Sequence, residues 1–230
     1  MSSLRLAPLS RCERALDAGR ACGGSGLRRR LLLAGFGVLL PAWLPKPSHA
    51  GAQIEEPLVD SVRTALSAAI ANRAPPKPSF DTMQERLVYL RWLGQMSERL
   101  KRRKAEHQTR VEFLEAVWYE SRRAGLETDL VLGLIQVESG FRKYAISVAG
   151  ARGYMQVMPF WARLIGDGDA SRLFHMQTNL RFGCTILRHY LDRERGDLFM
   201  ALGRYNGSRG KAEYPNLVFG ARRQWSHSAS

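Results

Sequence analysis

Cysteine is scarce: Cys12, Cys22 and Cys184 are the three in 230 residues. Two of them stand within the first 22 positions, so no internal staple can hold the remainder, and its fold has to rest on packing. Metal-ligand spacing is also missing, since Cys184 and His189 have no partners at a recognised separation, and neither metal nor cofactor is expected. No apolar run reaches the ~18–20 residues that cross a bilayer as a helix, so stable membrane insertion is not expected. Alternation with period two never lasts long enough to demand a strand, and no internal repeat is visible. Acids are few as well: 21 Asp and Glu against 35 Lys and Arg leave a formal charge of +14. What is plentiful is apolar residue, at 45% of the chain, which excludes a disordered tail.

The first fifty residues change the meaning of that charge. Arg28-Arg29-Arg30 precede an apolar stretch from Leu31 to Leu44, and Ser48 and Ala50 follow as small residues in small-x-small order. This is the layout of an export signal, with cleavage expected near Ala50-Gly51 and a periplasmic location for the product. Removing residues 1–50 takes away Cys12 and Cys22 and leaves a charge of +8. A basic exported protein meets anionic envelope polymers, so nucleic acid is not the expected partner. Cys184 is then a lone thiol, expected to be buried as a small apolar residue.

Beyond the signal, Ala74-Pro75-Pro76-Lys77-Pro78 halts a weak helical pattern, so 51–80 is expected to be a linker or a loose helical appendage. Residues 81–108 read as an N-terminal helix that Asp81 or Thr82 can cap and that ends in the basic run Lys101-Arg102-Arg103-Lys104. That run suits either a grip on an acidic polymer or a solvated helix end whose cations complement the dipole. The spacing predicts further helices from Thr109 to Ala124, from a Thr128 N-cap onward, from Thr178 to Arg193 and from Leu198 to Tyr205. Short β or irregular turns are expected between 143 and 170. The fold class is therefore mainly α.

Chemistry points to the end of the helix that starts at Thr128. Leu130, Leu134 and Glu138 fall at i, i+4 and i+8, which puts an acid in line with an apolar stripe. Burial and the exposed carbonyls of a helix C-terminus both disfavour a carboxylate, so Glu138 should hold its proton to higher pH than a surface acid. Such a group can donate a proton to a leaving oxygen. A lone Glu at a helix end is more often a surface residue, and only its neighbours decide between the two.

Those neighbours are Glu138-Ser139-Gly140-Phe141, then Gly153-Tyr154-Met155-Gln156-Val157-Met158-Pro159, then Ala201-Leu202-Gly203-Arg204-Tyr205-Asn206. In this order and spacing they resemble the catalytic domain of soluble lytic transglycosylases, a lysozyme-like fold, over roughly 109–218. The resemblance implies a peptidoglycan-cleaving domain within 109–230. It implies Glu138 as the single acid and base, and Ser139, Met155, Gln156, Tyr205 and Asn206 as substrate-binding residues. Ser139 would help hold the substrate's acetamido group, Met155 and Gln156 would line the sugar cleft, and Tyr205 and Asn206 would face the glutamate. It also implies a product with a 1,6-anhydro-muramoyl end, with glycan strands as partner and, for some members, a secretion or other envelope assembly. Two positions depart from the family pattern: Tyr154 where leucine is usual, and Arg204 where alanine is usual. Gly166-Asp167-Gly168-Asp169 lacks the remaining ligands of a calcium loop and reads as a turn. A two-carboxylate hydrolase would take Asp167 or Asp169 as its second acid. A non-catalytic glycan-binding module would need no proton donor at Glu138.

Overall fold

The computed structural model describes residues 53–71 and 78–227, so the expected signal segment and its cleavage point lie outside the described residues. Among the described residues the secondary structure is helical: α1 (Asp60–Ala71), α2 (Met83–Leu100), α3 (His107–Arg123), α4 (Thr128–Ser139), α5 (Pro159–Ile165), a 3-10 turn (Ala170–Phe174), α6 (Met176–Arg193), α7 (Leu198–Asn206) and α8 (Glu213–Arg223). The mainly α expectation holds. In the 143–170 region, two isolated bridges, Ile146 with Arg152 and Arg152 with Val157, make a small irregular turn before α5.

Local chemistry explains the helix starts. Thr82 Oγ1 accepts from the Glu85 amide at 3.1 Å, and the Glu85 carboxylate accepts from the Asp81 amide at 3.1 Å, which sets the start of α2. Helix α3 begins two residues before the expected Thr109, because the Glu106 carboxylate accepts from the amides of Gln108 (2.7 Å) and Thr109. Thr128 is not an N-cap, contrary to expectation: Glu127 holds that position without a side-chain cap bond, and the Thr128 hydroxyl pairs with Ser121 Oγ at 3.2 Å instead. Helix α5 opens on Pro159, whose missing amide proton costs nothing in a first turn. Helix α8 was not anticipated, and Pro215 is tolerated there for the same reason.

The stretch expected to be a linker or loose appendage contains α1, which buries Leu66 and packs on α5 and α6. Ahead of it, Gln53 is buried and its Oε1 accepts from Trp161 Nε1 at 3.0 Å. Glu56 pairs with Arg204 at 2.8 Å and with Arg193, so Arg204, one of the departures from the family pattern, is engaged by this N-terminal segment. Glu194 completes the network through Arg204 and through Arg209 at 2.7 Å. Cys184 is free and buried, as expected.

Helix α4 sits at the centre with Leu130, Val131, Leu132, Leu134 and Ile135 all buried, and α8 runs along it. The two backbones approach so closely at Gly133 that an added Cβ would lie 2.7 Å from the Arg222 amide nitrogen and 2.8 Å from its Cα. Gly133→Ala gains ~1 kcal/mol of helix propensity but forces rigid backbone apart at a cost of about 1–3 kcal/mol. The clash is with backbone and cannot be relieved by a rotamer, so the net effect should be a fall in Tm of several degrees. An unchanged or raised melting temperature by calorimetry would show that α4 and α8 are free to slide.

Candidate active site

Glu138 occupies the last turn of α4 with 2% of its surface exposed. The helix then ends on Gly140 at φ 58, and Phe141 follows, also in the left-handed region at φ 68. A positive φ is costly for an aromatic residue, and packing holds it there. The Phe141 ring is buried edge-on between Phe113 (5.9 Å) and Trp225 (5.2 Å). That reversal fixes the direction in which the Glu138-Ser139 end faces.

One carboxyl oxygen of Glu138 accepts a hydrogen bond from the Tyr214 hydroxyl, supplied by α8. The other, Oε2, is buried with no hydrogen-bond partner among the described residues. Burial pushes the carboxyl up to about 8 from its ordinary 4.5, and the Tyr214 bond pulls partly the other way. Tyr214 and Tyr205 are in turn raised well above an ordinary phenol, first by burial and then by the charge of Glu138. Desolvation is therefore the dominant electrostatic fact of the site.

Of the other residues expected to bind substrate, Ser139, Gln156 and Tyr205 commit their polar groups to the backbone. Ser139 Oγ reaches the Tyr154 carbonyl at 2.7 Å and the Ile135 carbonyl at 3.2 Å. Its hydroxyl thus ties the helix end to the 153–157 turn, where an acetamido contact was expected. Gln156, at φ 49, donates from Nε2 to the carbonyls of Gly153 (2.9 Å) and Ala145 (3.1 Å) and is almost fully buried, so it stiffens the turn rather than presenting its amide to a cleft. Met155 is fully buried against Gly183 of α6. Tyr205 donates to the Met155 carbonyl at 2.7 Å, and Asn206 donates to Ser208 Oγ at 2.9 Å while its Oδ1 is buried without a partner among the described residues. The three motifs do converge on one place.

Two contributors escaped the sequence reading. Tyr214 lies 76 residues beyond Glu138, and its signal was the apolar face Tyr214, Val218 and Ala221 at helical spacing, which marks it as inward-facing. Asn179 is fully buried, and its side chain accepts from the Met155 amide and donates to the carbonyls of Arg152 and Leu173, each at 2.8 Å. It is the anchor of the turn to which Ser139 is bonded. Asp167 and Asp169 do not join the site: Asp167 pairs with Arg172, Asp169 accepts from the Ser171 amide at 2.8 Å, and both line a separate cavity of about 630 Å³ beside α6. Among the described residues no group of His, Cys, Asp and Glu is arranged to hold a metal ion.

Residues 115–225 match the family described as the transglycosylase SLT domain. Similar proteins include the membrane-bound lytic murein transglycosylase C of Mannheimia succiniciproducens, 49% identical over 83 residues that cover 33% of this chain and 23% of that protein. The transglycosylase of Enterobacteria phage PRD1 is 33% identical over 104 residues, 45% of this chain and 38% of that protein. The chain thus spans well under half the length of these relatives. Among solved structures, an inactive mutant of the lytic transglycosylase Slt from Pseudomonas aeruginosa matches with a TM-score of 0.39 and 19% identity, over 61% of this chain and 27% of that one.

The raised Glu138 value has a thermodynamic sign. The native state keeps the Glu138 proton between about 4.5, where the unfolded chain loses it, and about 8, so stability falls as pH rises across that window. Glu138→Gln lacks the penalty and should gain on the order of 2–4 kcal/mol over wild type at pH 9, with the advantage shrinking towards pH 5. Urea unfolding at the two pH values measures it, and a pH-independent difference would contradict the buried, protonated carboxyl. Tyr214→Phe removes a bond that favours the anion, so the Glu138 carboxyl should titrate above about 8 by carbon-13 NMR; a downward move would mean that Tyr214 does not stabilise the charge.

Proposed function

This chain carries a transglycosylase SLT domain over residues 115–225, and from that premise we propose that it cleaves the MurNAc-GlcNAc β-1,4 bond of peptidoglycan as a lytic transglycosylase, with Glu138 as its single acid and base. The observation that carries the proposal is the buried Glu138 carboxyl with one oxygen on Tyr214 and the other unpartnered. With a value of about 8 it is protonated roughly ten to one at pH 7. It can therefore give its proton to the departing glycosidic oxygen. The substrate's N-acetyl group stabilises the cationic centre at C1, and the Glu138 carboxylate, now held by the Tyr214 hydroxyl, takes the proton of the sugar's own 6-hydroxyl. That hydroxyl closes on C1 and gives the 1,6-anhydro-muramoyl end without consuming water. Tethering favours this closure over capture of a separate molecule.

A hydrolase with two carboxylates is the competing scheme. Against it, burial and Tyr214 set the Glu138 value with no neighbouring acid among the causes, and Asp167 and Asp169 are engaged elsewhere. In this reading Ser139, Met155, Gln156, Tyr205 and Asn206 shape the wall of the sugar site, with Ser139, Gln156 and Tyr205 holding its geometry through backbone carbonyls. Substrate contact falls to the surfaces they position. The protein acts in the periplasm after removal of residues 1–50, on glycan strands, either alone or as the wall-opening component of a secretion or other envelope assembly.

Glu138→Gln should fold and lose wall-cleaving activity by at least about a hundredfold, while Asp167→Asn and Asp169→Asn should stay within about twofold of wild type. Turbidity clearing of purified sacculi gives the rates. Mass spectrometry of wild-type products should find muropeptides one water lighter than hydrolytic ones and resistant to borohydride. Reducible, hydrated ends as the main product would replace the transglycosylase with a hydrolase, and intact sacculi under folded wild-type protein would remove the enzymatic reading.

A further inference from the structure

Beside the Glu138 end of α4, two basic segments distant in sequence come together. The first is Arg102-Arg103-Lys104, just past α2 and outside the matched domain; the second is Arg142-Lys143, just past α4. Arg103 lies over the Phe141 ring at 5.5 Å. Lys104 Nζ donates to the Tyr154 hydroxyl at 2.7 Å and stands over the rings of Tyr154 (4.7 Å) and Phe113 (5.1 Å). Arg142 Nε donates to the Ser139 carbonyl at 2.9 Å, one residue from Glu138. Lys143 is near enough to Lys104 to join burial in depressing its pKa.

Like charges repel, and clustering them costs energy unless counter-charges are supplied. Elsewhere the chain supplies them: Arg181 and Arg123 share Glu120, Arg204 and Arg209 share Glu194, and Arg222 takes Asp129. Here no carboxylate among the described residues forms an ion pair with Arg102, Arg103, Lys104, Arg142 or Lys143, although four of the five are exposed. The aromatic faces and Tyr154 fix the positions of Arg103 and Lys104 without neutralising them. Tyr154, the departure from leucine, thereby gains a function: its hydroxyl docks the end of α2 onto the turn whose Tyr154 carbonyl is bonded by Ser139, the neighbour of Glu138.

We infer that this cluster is a carboxylate-binding subsite that seats the acidic stem peptides of peptidoglycan beside the cleaved glycosidic bond. The inference rests on the proposed function for its substrate and adds the part of that substrate that is recognised. Stem peptides carry free carboxylates at regular intervals along the glycan, and an uncompensated cationic rim one residue from the catalytic acid is complementary to them. The geometry favours strands that retain their peptides over bare or neutralised ones.

The test compares kcat/KM on sacculi with intact stem peptides and on the same sacculi after amidation of their carboxylates, for wild type and for the double variant Arg103→Gln, Lys143→Gln. Both side chains are exposed, and melting by circular dichroism checks that the fold is kept. Wild type should prefer the unamidated wall, and the variant should lose about three- to tenfold of that preference, through KM rather than kcat. An unchanged preference, or an equal loss on both walls, overturns the subsite. So does a variant whose only defect is weaker binding to phosphatidylglycerol vesicles, since that would assign the cluster to a lipid surface. If wild type cleaves neither wall, the enzymatic reading fails by itself, and co-sedimentation of the protein with the two walls then decides the subsite: preference for the unamidated wall upholds it and equal sedimentation overturns it.

Discussion

A carboxyl group kept out of water is the constraint on which this structure turns. Glu138 holds its proton near neutrality because it is buried between α4 and α8, and the proposed chemistry needs that proton. Such burial destabilises the fold whenever the group ionises. The enclosing helices therefore have to be held firmly, and the Gly133 contact with the α8 backbone, the Phe141 reversal and the Trp225 packing all do this. Tyr214 moderates the penalty through a hydrogen bond that favours the anion. Its position on α8 makes the acid's strength depend on the packing of two helices far apart in sequence.

The polar residues around Glu138 follow a consistent division of labour. Ser139, Gln156, Asn179 and Tyr205 each satisfy backbone groups of the 145–157 segment or of the 3-10 turn. A loop so close to a buried acid would otherwise leave unpaired amides and carbonyls, each costing ~1–3 kcal/mol. These side chains convert an irregular turn into a rigid wall. This geometry accounts for their motif character, and the residues that the motifs mark as substrate-binding are nearly sealed from solvent.

Residues 53–71 and α2 pack with the helices of the matched domain. Gln53 and Glu56 bind Trp161, Arg193 and Arg204, and α1 packs on α5 and α6. The end of α2 meets the 153–157 turn through Lys104 and Tyr154. Both positions that depart from the family pattern, Tyr154 and Arg204, are thus partners of segments that precede the matched domain. The departures accommodate the chain's own extension.

Helical spacing, the Glu138 position on an apolar stripe and the three ordered motifs were legible in the sequence because each depends on residues within a few turns of one another. The mainly α class and the burial of Cys184 followed from such local patterns, and the meeting of the Glu138, Gln156 and Tyr205 segments from the family resemblance that their motifs carry. Tyr214, Asn179 and the pairing of Arg103 with Phe141 were not legible, since each is defined by a contact between segments tens of residues apart and no local preference encodes it. The same reason explains why Ser139 bonds the Tyr154 carbonyl and why 51–80 contains a docked helix. Sequence by itself determined which groups could do proton chemistry. Tertiary packing alone decided which of them is desolvated, because removal from water is a property of everything that surrounds a residue.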